Sequence, residues 1–574
     1  MDNIVEQLHR KFNVAKENRR NFDIMWQDIT DYVLPYRPGF TVRHMPGEER
    51  MEKIFDPTAL DAIEVAVSGI YSNSVNPSTR WLHLRIKDAN LMKEDVVKRW
   101  LDEASSVTQE YVDRILAMPM IENFTDWLGY GMTALFIKEE NDSYNPFSGT
   151  AYPLRDIYVC VDYKEEIDTV FREFTLTYTQ ADQMFAGKLP AELRRKYEKN
   201  QNYKECIRFL HCVTRNYKRD LNKKDQANMP WRSYYICRDV FEIVEEGGFE
   251  ENPYIIPRFS VIPGEVYGRG PMMKALPTVR AVNQKVRNQI DASNMAIRPP
   301  MDVPEEAYLT PLRLTPGARN LNQDMQGRKA TPINAVGDLN FTLKDIQEDR
   351  DNIRAMMYND LLKLPLQDRM TTLEVDSRRQ EQLALLAPFL MRLEQEYFNK
   401  IVERVAGILY RLDLIPPRPE AIPEDMEISV VYDSPLARSM RHANIKSVDQ
   451  ALQFALQLGQ VAPQVIDHFD FDAITRGRAD DLGMPLSYLH SQQDIEKMRQ
   501  QRSQQEAQTA EAMQQQQQLM AMKEMGNTVN KVGNTPGMEQ LTAQLAQAIQ
   551  DGVAQAAANQ QGGEMIPGQE EQMV

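Results

Sequence analysis

The feature that most constrains this chain is a pair of helical blocks separated by a segment that cannot be helical. Gly270-Pro271 opens the first block, in which Ala275, Val279, Val282, Val286, Ile290 and Ile297 share one face. At about 100° per residue, Arg280, Arg287 and Arg298 line up on another face. Pro277 removes a backbone donor inside this block and predicts a bend in its first turns. Residues 299–341 then carry Pro299, Pro300, Pro304, Pro311, Pro316 and Pro332 without helical periodicity, which fits a compact insertion with short strands. Thr342-Leu343-Lys344-Asp345 resembles a capping box with Asp in place of Glu, and Asp345, Glu348, Asp349 and Asp351 crowd the positive end of the helix dipole. A second helix is expected from 342 to about 363.

Beyond it, Leu364-Pro365-Leu366-Gln367-Asp368-Arg369-Met370 reads as a short loop, and Thr371-Thr372-Leu373-Glu374 restarts the chain with a capping box. From 372 to 413, Leu383, Leu386, Leu390, Leu393, Tyr397, Ile401, Val405, Ile408 and Leu412 recur at three- and four-residue spacings. That predicts a helix about 63 Å long if straight, with a kink at Pro388. Glu427 to Tyr432 reads as a strand returning to some sheet, and 438–500 as helical with breaks at Pro463, Gly477 and Gly483-Met484-Pro485.

Upstream, helices are expected over 3–34, from Asp56-Pro57-Thr58 through Ile70, and from about Lys93 to Ala117. Between Leu135 and Phe259, short β-branched and aromatic runs such as Ile157 to Val161, Thr169 to Phe171 and Tyr234 to Cys237 mark a mixed α/β region. Past Gln500 the chain becomes rich in Gln and Met, a composition that suits a solvated helix or disorder equally. With 574 residues, about three or four domain-sized units are expected.

Acids outnumber bases 83 to 67, a formal net charge of −16, which argues against a protein that coats nucleic acid with a generally basic surface. No apolar run approaches the roughly 18 residues needed to span a bilayer, and the acidic N-terminus lacks the pattern of a signal peptide, so no membrane segment and a cytoplasmic start are expected. Cys160, Cys206, Cys212 and Cys237 include no CxxC pair, and the seven histidines form no HxxxH or HExxH, so no disulfide framework, metal site or cofactor is expected. Gly268-Arg269-Gly270 has Met273 where a dinucleotide fingerprint needs its third glycine and is better read as a tight turn into a helix. No GxxxxGK[ST], no GxSxG and no Cys/His nucleophile pattern occurs, and the many carboxylates give no reason to choose an acid/base pair. A structural or binding role leads, ahead of an enzyme.

Several stretches together resemble the portal proteins, or head-to-tail connectors, of short-tailed bacteriophages. They are Asn76-Pro77-Ser78-Thr79-Arg80-Trp81-Leu82-His83-Leu84, Trp127 to Ala134, Val170-Phe171-Arg172-Glu173 and Gly264-Glu265-Val266-Tyr267-Gly268-Arg269-Gly270-Pro271, in that order, with the helix, insertion, helix, loop and long-helix series behind them. The likeness covers roughly residues 1–490. It implies a mainly α portal fold with an α/β wing, assembled as a ring of usually twelve copies at one capsid vertex, with no catalytic activity. On this chain 1–270 and 372–437 would form the wing, 271–298 and 342–363 the two-helix stem, 299–341 a small α/β clip, 364–371 the tunnel loop, 438–500 the crown, and 501–574 a tail that is a possible helical barrel or partly disordered. Expected partners are double-stranded DNA in the channel, the packaging terminase, the major capsid and scaffold proteins and a tail adaptor, in a virion assembled in the host cytoplasm. A helical adaptor or scaffold protein without a ring is the competing reading.

Two sets of residues carry the functional expectation. The tunnel-loop residues Gln367, Asp368, Arg369 and Met370 would approach DNA, with Arg369 meeting phosphate. The basic stripe Arg280, Arg287 and Arg298 either faces the channel or pairs with Asp345, Glu348 and Asp349 of a neighbouring stem. The second is preferred, because a conduit for DNA should avoid deep electrostatic wells. Asn76, Pro77, Arg80, Trp81, Tyr267, Gly268, Gly270 and Pro271 are expected to be structural.

Overall fold

The computed structural model describes residues 2–45, 47–75, 80–86, 88, 91, 94–185, 187–200, 206–220, 223, 225–297, 301–302, 311, 331–332, 339–362, 385–423, 428–432, 448–449, 451–458, 464, 468–481, 488–490, 492–532, 544, 547–548 and 551. These fall into two units, 1–486 and 487–574.

The first unit begins with α1 (Asp2–Tyr32), a single helix that serves two cores. Its first half places Val5, Leu8, Phe12 and Ala15 against Tyr158, Phe171, Leu210 and Tyr234; its second half sends Phe22, Trp26 and Ile29 into the main core. Between the halves, Arg19 is buried, donates to the Leu154 and Ile157 carbonyls at 3.1 and 2.6 Å, and pairs with Asp23 at 2.8 Å. Helix α2 (Thr58–Ser74) buries Ala59, Ala62, Ile63, Ala66 and Ile70, and β1 (Leu82–Ile86) follows. The helix starts one residue later than the Asp-Pro pattern suggests: Pro57 takes the cap position, and the Asp56 carboxylate accepts the Thr58 N–H at 2.9 Å.

Helix α3 (Asp95–Tyr130) overruns its expected end near Ala117 and passes through Pro119. A proline inside a helix costs about 3 kcal/mol. The turns beyond it bury Met120, Phe124, Trp127, Leu128 and Tyr130, and each large apolar side chain removed from water returns about 1.5–3 kcal/mol. Burial wins over local propensity, which is why the periodicity of the sequence alone ended the helix too early.

The α/β region consists of two antiparallel sheets. One has the order β3-β2-β9, from β2 (Ala134–Glu139), β3 (Phe147–Tyr152) and β9 (Tyr254–Ile255). The other is a meander of β4 (Ile157–Val161), β5 (Ile167–Thr177), β6 (Cys206–Arg215), β7 (Trp231–Cys237) and β8 (Glu242–Phe249). Alternation along β6 decides its two faces. Leu210 and Cys212 meet α1, while Ile207 and Phe209 meet Ala181 and Phe185 of α4 (Tyr178–Phe185) and Leu193 of α5 (Ala191–Asn200).

Helix α6 (Pro271–Ile297), the short pair β10 (Met301–Asp302) and β11 (Thr331–Pro332), and α7 (Leu339–Met356) follow. The second helix of this pair begins before Thr342 and does not run unbroken to 363. Tyr358 sits at φ +59°, and α8 (Asn359–Leu362) restarts beyond it. Left-handed backbone at a non-glycine costs about 1–3 kcal/mol and persists only where packing holds it. Here Met357 and Asn359 are buried on either side, and the Tyr358 ring lies against Phe389 with centroids 5.2 Å apart.

Helix α9 (385–393), a π-helical turn at Glu394–Phe398 and α10 (Asn399–Arg411) form one continuous rod through the main core, lined by Leu386, Leu390, Leu393, Tyr397, Ile401, Val405 and Ile408. Its irregularity lies at 394–398, about two to three turns after Pro388. The strand expected near 427–432 is β12 (Ile428–Tyr432), which pairs antiparallel with β1, Leu84 opposite Val430. Helices α11 (451–458) and α12 (Phe471–Asp481) complete what is described of this unit. The second unit is dominated by α13 (Gln492–Val532), 41 residues with almost every described side chain exposed, so the Gln-rich tract is helical at least to Val532.

The buried His211 lends the fold a pH dependence. Its ring stacks on Tyr235 at 4.0 Å and bonds the Tyr254 hydroxyl at 2.7 Å and the Ser233 hydroxyl at 2.9 Å. Burial, and then the positive charge of Arg172, push its pKa down to about 3. The folded protein holds this histidine neutral, whereas an unfolded histidine takes up a proton below about pH 6.5. Stability is therefore intact above that value and falls as pH drops toward 3. By pH 5 the loss is about 2 kcal/mol. Thermal melts between pH 7.5 and 5 should decline more steeply for the native protein than for His211→Gln, and parallel curves would contradict this assignment.

Candidate functional site: a helix pair rooted at a backbone crossing

The motif segments Trp127 to Ala134 and Gly264 to Pro271 meet at one place, where two backbones cross. Gly131 ends α3 at φ +81°, a left-handed position that glycine takes without strain. A Cβ on Gly268 would stand 2.4 Å from the Gly131 carbonyl oxygen, and one on Gly270 would stand 2.8 Å from the Gly131 nitrogen and the Leu128 oxygen. Phe259 N–H donates to the Gly131 carbonyl at 2.8 Å and Arg269 N–H to Ser260 at 2.8 Å, so the strand entering the crossing is bonded to it along its length. The glycine-containing turn is thus a close approach of backbones leading into α6, as its spacing suggested, and no phosphate cradle is involved.

Side chains lock the crossing from both sides. Tyr267 is buried against Phe22 and Trp26, with its hydroxyl 3.4 Å from Val159 N and 3.5 Å from the Ala15 carbonyl. Trp26 Nε1 donates to the Tyr130 carbonyl at 2.9 Å. Arg258, bridged through its backbone to Met132, donates its N–H to Glu396 Oε2 at 2.8 Å and its guanidinium to Glu396 Oε1 at 3.2 Å, which ties the π-turn to the same point. In the other motif segment Trp81 is fully buried, its Nε1 3.2 Å from Asp113 Oδ1 and its ring against Phe398, and Arg80 pairs with Asp102. Asn76 and Pro77 lie outside the described residues.

From Pro271, α6 runs out of the core. Pro271, Met272, Ala275, Leu276, Val279, Val282 and Asn283 are buried, and no residue beyond Asn283 on this helix is. Helix α7 packs along it. Lys285 bridges the pair, its Nζ 2.5 Å from Asp345 Oδ2 and 2.6 Å from Asp349 Oδ2, and both carboxylates hold the ammonium pKa above its usual value. Arg280 pairs with Asp28 and lies over Tyr32, while Arg287 lies over the Phe55 ring at 5.6 Å. Within one chain, then, Asp345 and Asp349 are engaged by a lysine that the arginine stripe had obscured, and Arg280 is engaged by α1. Arg287 and Glu348 have no ion-pair partner among the described residues. Arg298, the tunnel-loop residues Gln367, Asp368, Arg369 and Met370, and nearly all of 299–341 lie outside the described residues.

A second fastening sits at the root of the pair. Asn283 Oδ1 accepts the Phe55 and Asp56 N–H groups at 2.8 and 3.1 Å, and Asp56 Oδ2 accepts Arg350 at 2.7 and 2.8 Å. Burial alone would raise the Asp56 pKa, but its bonds to Thr58 and Arg350 outweigh burial and hold it below the usual carboxylate value. Neither Asn283 nor Arg350 stood out in the sequence, because each lies on a face that carries other polar residues and finds its partner more than 220 positions away. Among the described residues no group of three or more His, Cys, Asp or Glu could hold a metal ion, and no helix is long and apolar enough to cross a membrane. Among the described residues, polar groups of this helix pair are taken up in hydrogen bonds and ion pairs that fasten it together and to the core. Gly268→Ala should cost about 3 kcal/mol, because the added methyl meets backbone that cannot retreat. Urea unfolding monitored by circular dichroism checks this, and a loss below about 0.5 kcal/mol would contradict the crossing.

Residues 5–489 match the family of bacteriophage head to tail connecting proteins. The chain is 27% identical over 510 residues to a portal protein of Salmonella phage epsilon15, covering 86% of this chain and 90% of that one. It is 25% identical over 519 residues to a probable portal protein of Bordetella phage BPP-1, covering 87% and 92%. The matched span takes in both sheets, the crossing and the helix pair, and the chain belongs to the bacteriophage head to tail connecting protein family.

Proposed function

We propose that copies of this chain close into a ring, of twelve by the family resemblance, at one vertex of a phage capsid, and that double-stranded DNA passes through its centre during packaging and ejection. The observation that carries the reading is the helix pair α6 and α7, fastened at its root by the crossing and by Asp56, yet without core burial on α6 past Asn283. A polar, paired rod emerging from a large core suits the wall of a channel better than it suits a monomer. The role is structural, and the relatives named as portal proteins support it.

On this reading 1–270 and 372–437 form the wing, 271–298 and 342–363 the stem, 299–341 the clip, 364–371 the tunnel loop and 438–500 the crown, with 501–574 as the tail. The clip receives the packaging terminase first and a tail adaptor later, and the wing meets the major capsid and scaffold proteins. The net charge of −16 per chain fits passage of DNA without gripping. Fields at physiological salt reach only about 8 Å, so a like-charged wall repels the duplex locally and does not bind it. Arg369 of the tunnel loop supplies the transient phosphate contact that damps backward slippage.

Gold labelling of a tagged copy in intact virions tests the placement. One labelled vertex per particle is expected, and label absent from virions or spread over the shell would contradict it. Arg369→Ala should still assemble but should lower the fraction of particles that retain a full genome; unchanged retention would remove the phosphate-contact role.

A further inference from the structure

The segment from Pro35 to Asp56, between α1 and α2, has no helix or strand, yet it is held firmly. Gln27 Oε1 accepts the Phe40 and Thr41 N–H groups at 2.7 and 2.9 Å, Arg37 Nε meets Asp126 at 3.0 Å, Lys53 Nζ meets Asp31 at 2.6 Å, and Asn283 fixes Phe55 and Asp56. A segment so fastened should bury its large apolar side chains. Instead Met51 is 37% exposed and Phe55 39% exposed, and the Arg287 guanidinium lies over the Phe55 ring. On α6, Arg287 is two residues past Lys285, about 200° round the helix, and so on the side away from α7. Ile290, one turn on, is 46% exposed. The result is an apolar, singly cationic strip that the described residues of its own chain leave partly exposed.

The opposite side of the helix pair is its complement. On helix α7 the Glu348 side chain is exposed, has no ion-pair partner among the described residues and, at about 100° per residue, lies opposite the buried Ile346, Ile353 and Met357. One side offers a cation with apolar flanks and the other an exposed anion. Two different surfaces that fit each other make a heterologous, head-to-tail contact, which closes into a ring when the rotation allows. We infer that the Met51–Phe55 stretch with Arg287 is the seat for the outer face of α7 from a second copy of this chain, with Glu348 of that copy answering Arg287. This rests on the ring reading above and adds to it a clasp from the segment before α2, which lies outside the stem itself.

Charge exchange tests the pairing. Arg287→Glu and Glu348→Arg should each fold as the native protein does, since neither native side chain has a charged partner among the described residues. Each should fail to assemble, because facing like charges weaken every contact by about tenfold or more. Mixed in equal amounts, the two variants should form rings again, since each contact in an alternating ring regains opposite charges, and the double variant should do so alone. Sedimentation velocity and negative-stain images read the outcome. If both single variants form rings like the native protein, or if neither the mixture nor the double variant recovers assembly, the inference is overturned while the ring reading stands. A native chain that never exceeds a dimer, even with its scaffold, overturns both.

Discussion

The crossing of Gly131 over Gly268 and Gly270 is the constraint on which the rest of the structure depends. Two chain segments more than 130 residues apart approach so closely that neither tolerates a Cβ, and that contact sets where α3 ends and where α6 begins. The end of α3 feeds β2 on one side of it; the start of α6 leaves on the other. Tyr267 and Trp26 fill the space beside it, and Arg258 carries its position to the π-turn of the long helix through Glu396. On the proposed ring reading, α6 would need a rigid origin, and close-packed backbone supplies one.

Stiffness at the root and bareness toward the tip divide the labour along α6. Up to Asn283 the helix is part of a core; beyond it, Lys285 bridges to Asp345 and Asp349 of α7, whose Ile346 and Ile353 are buried in the same core. Exposed ion pairs contribute little stability each, so these bridges add little to the outer part of the pair. Helix α1 has the parallel task inside the chain: its two apolar stretches, separated by the buried Arg19, clamp the five-stranded sheet to the helical body.

Much of this was legible in the sequence, and what was missed has physical causes. Helix periodicity located α6, α7 and the rod through Ile401 and Ile408; β-branched runs located β4, β7, β9 and part of β5 but not β2, β3, β6 or β8, and the return of 428–432 to a sheet was visible from composition alone. Trp81 and Tyr267, singled out as motif residues, are buried, and Gly268 and Gly270 lie against Gly131, a meeting of two motifs that only coordinates reveal. The end of α3 was misplaced because Pro119 is a local signal and the burial that overrides it is not. The break at Tyr358 left no mark because its support comes from Phe389. In the charged site, an arginine stripe drew attention from Lys285, and Asn283, Asp56 and Arg350 assemble only through contacts distant in sequence. Pairing of charges is a three-dimensional fact that periodicity on one helix does not contain.

The central claim is that the helix pair is the inner wall of a closed assembly, rooted in a core built around one backbone crossing. A single-particle reconstruction of the purified full-length assembly tests it most directly. The account predicts one ring size, with α6 and α7 lining the central opening and the outer side of each α6 against α7 of the next copy. A two-fold dimer with α6 against α6, or a ring that carries the helix pair on its outer circumference, would contradict it.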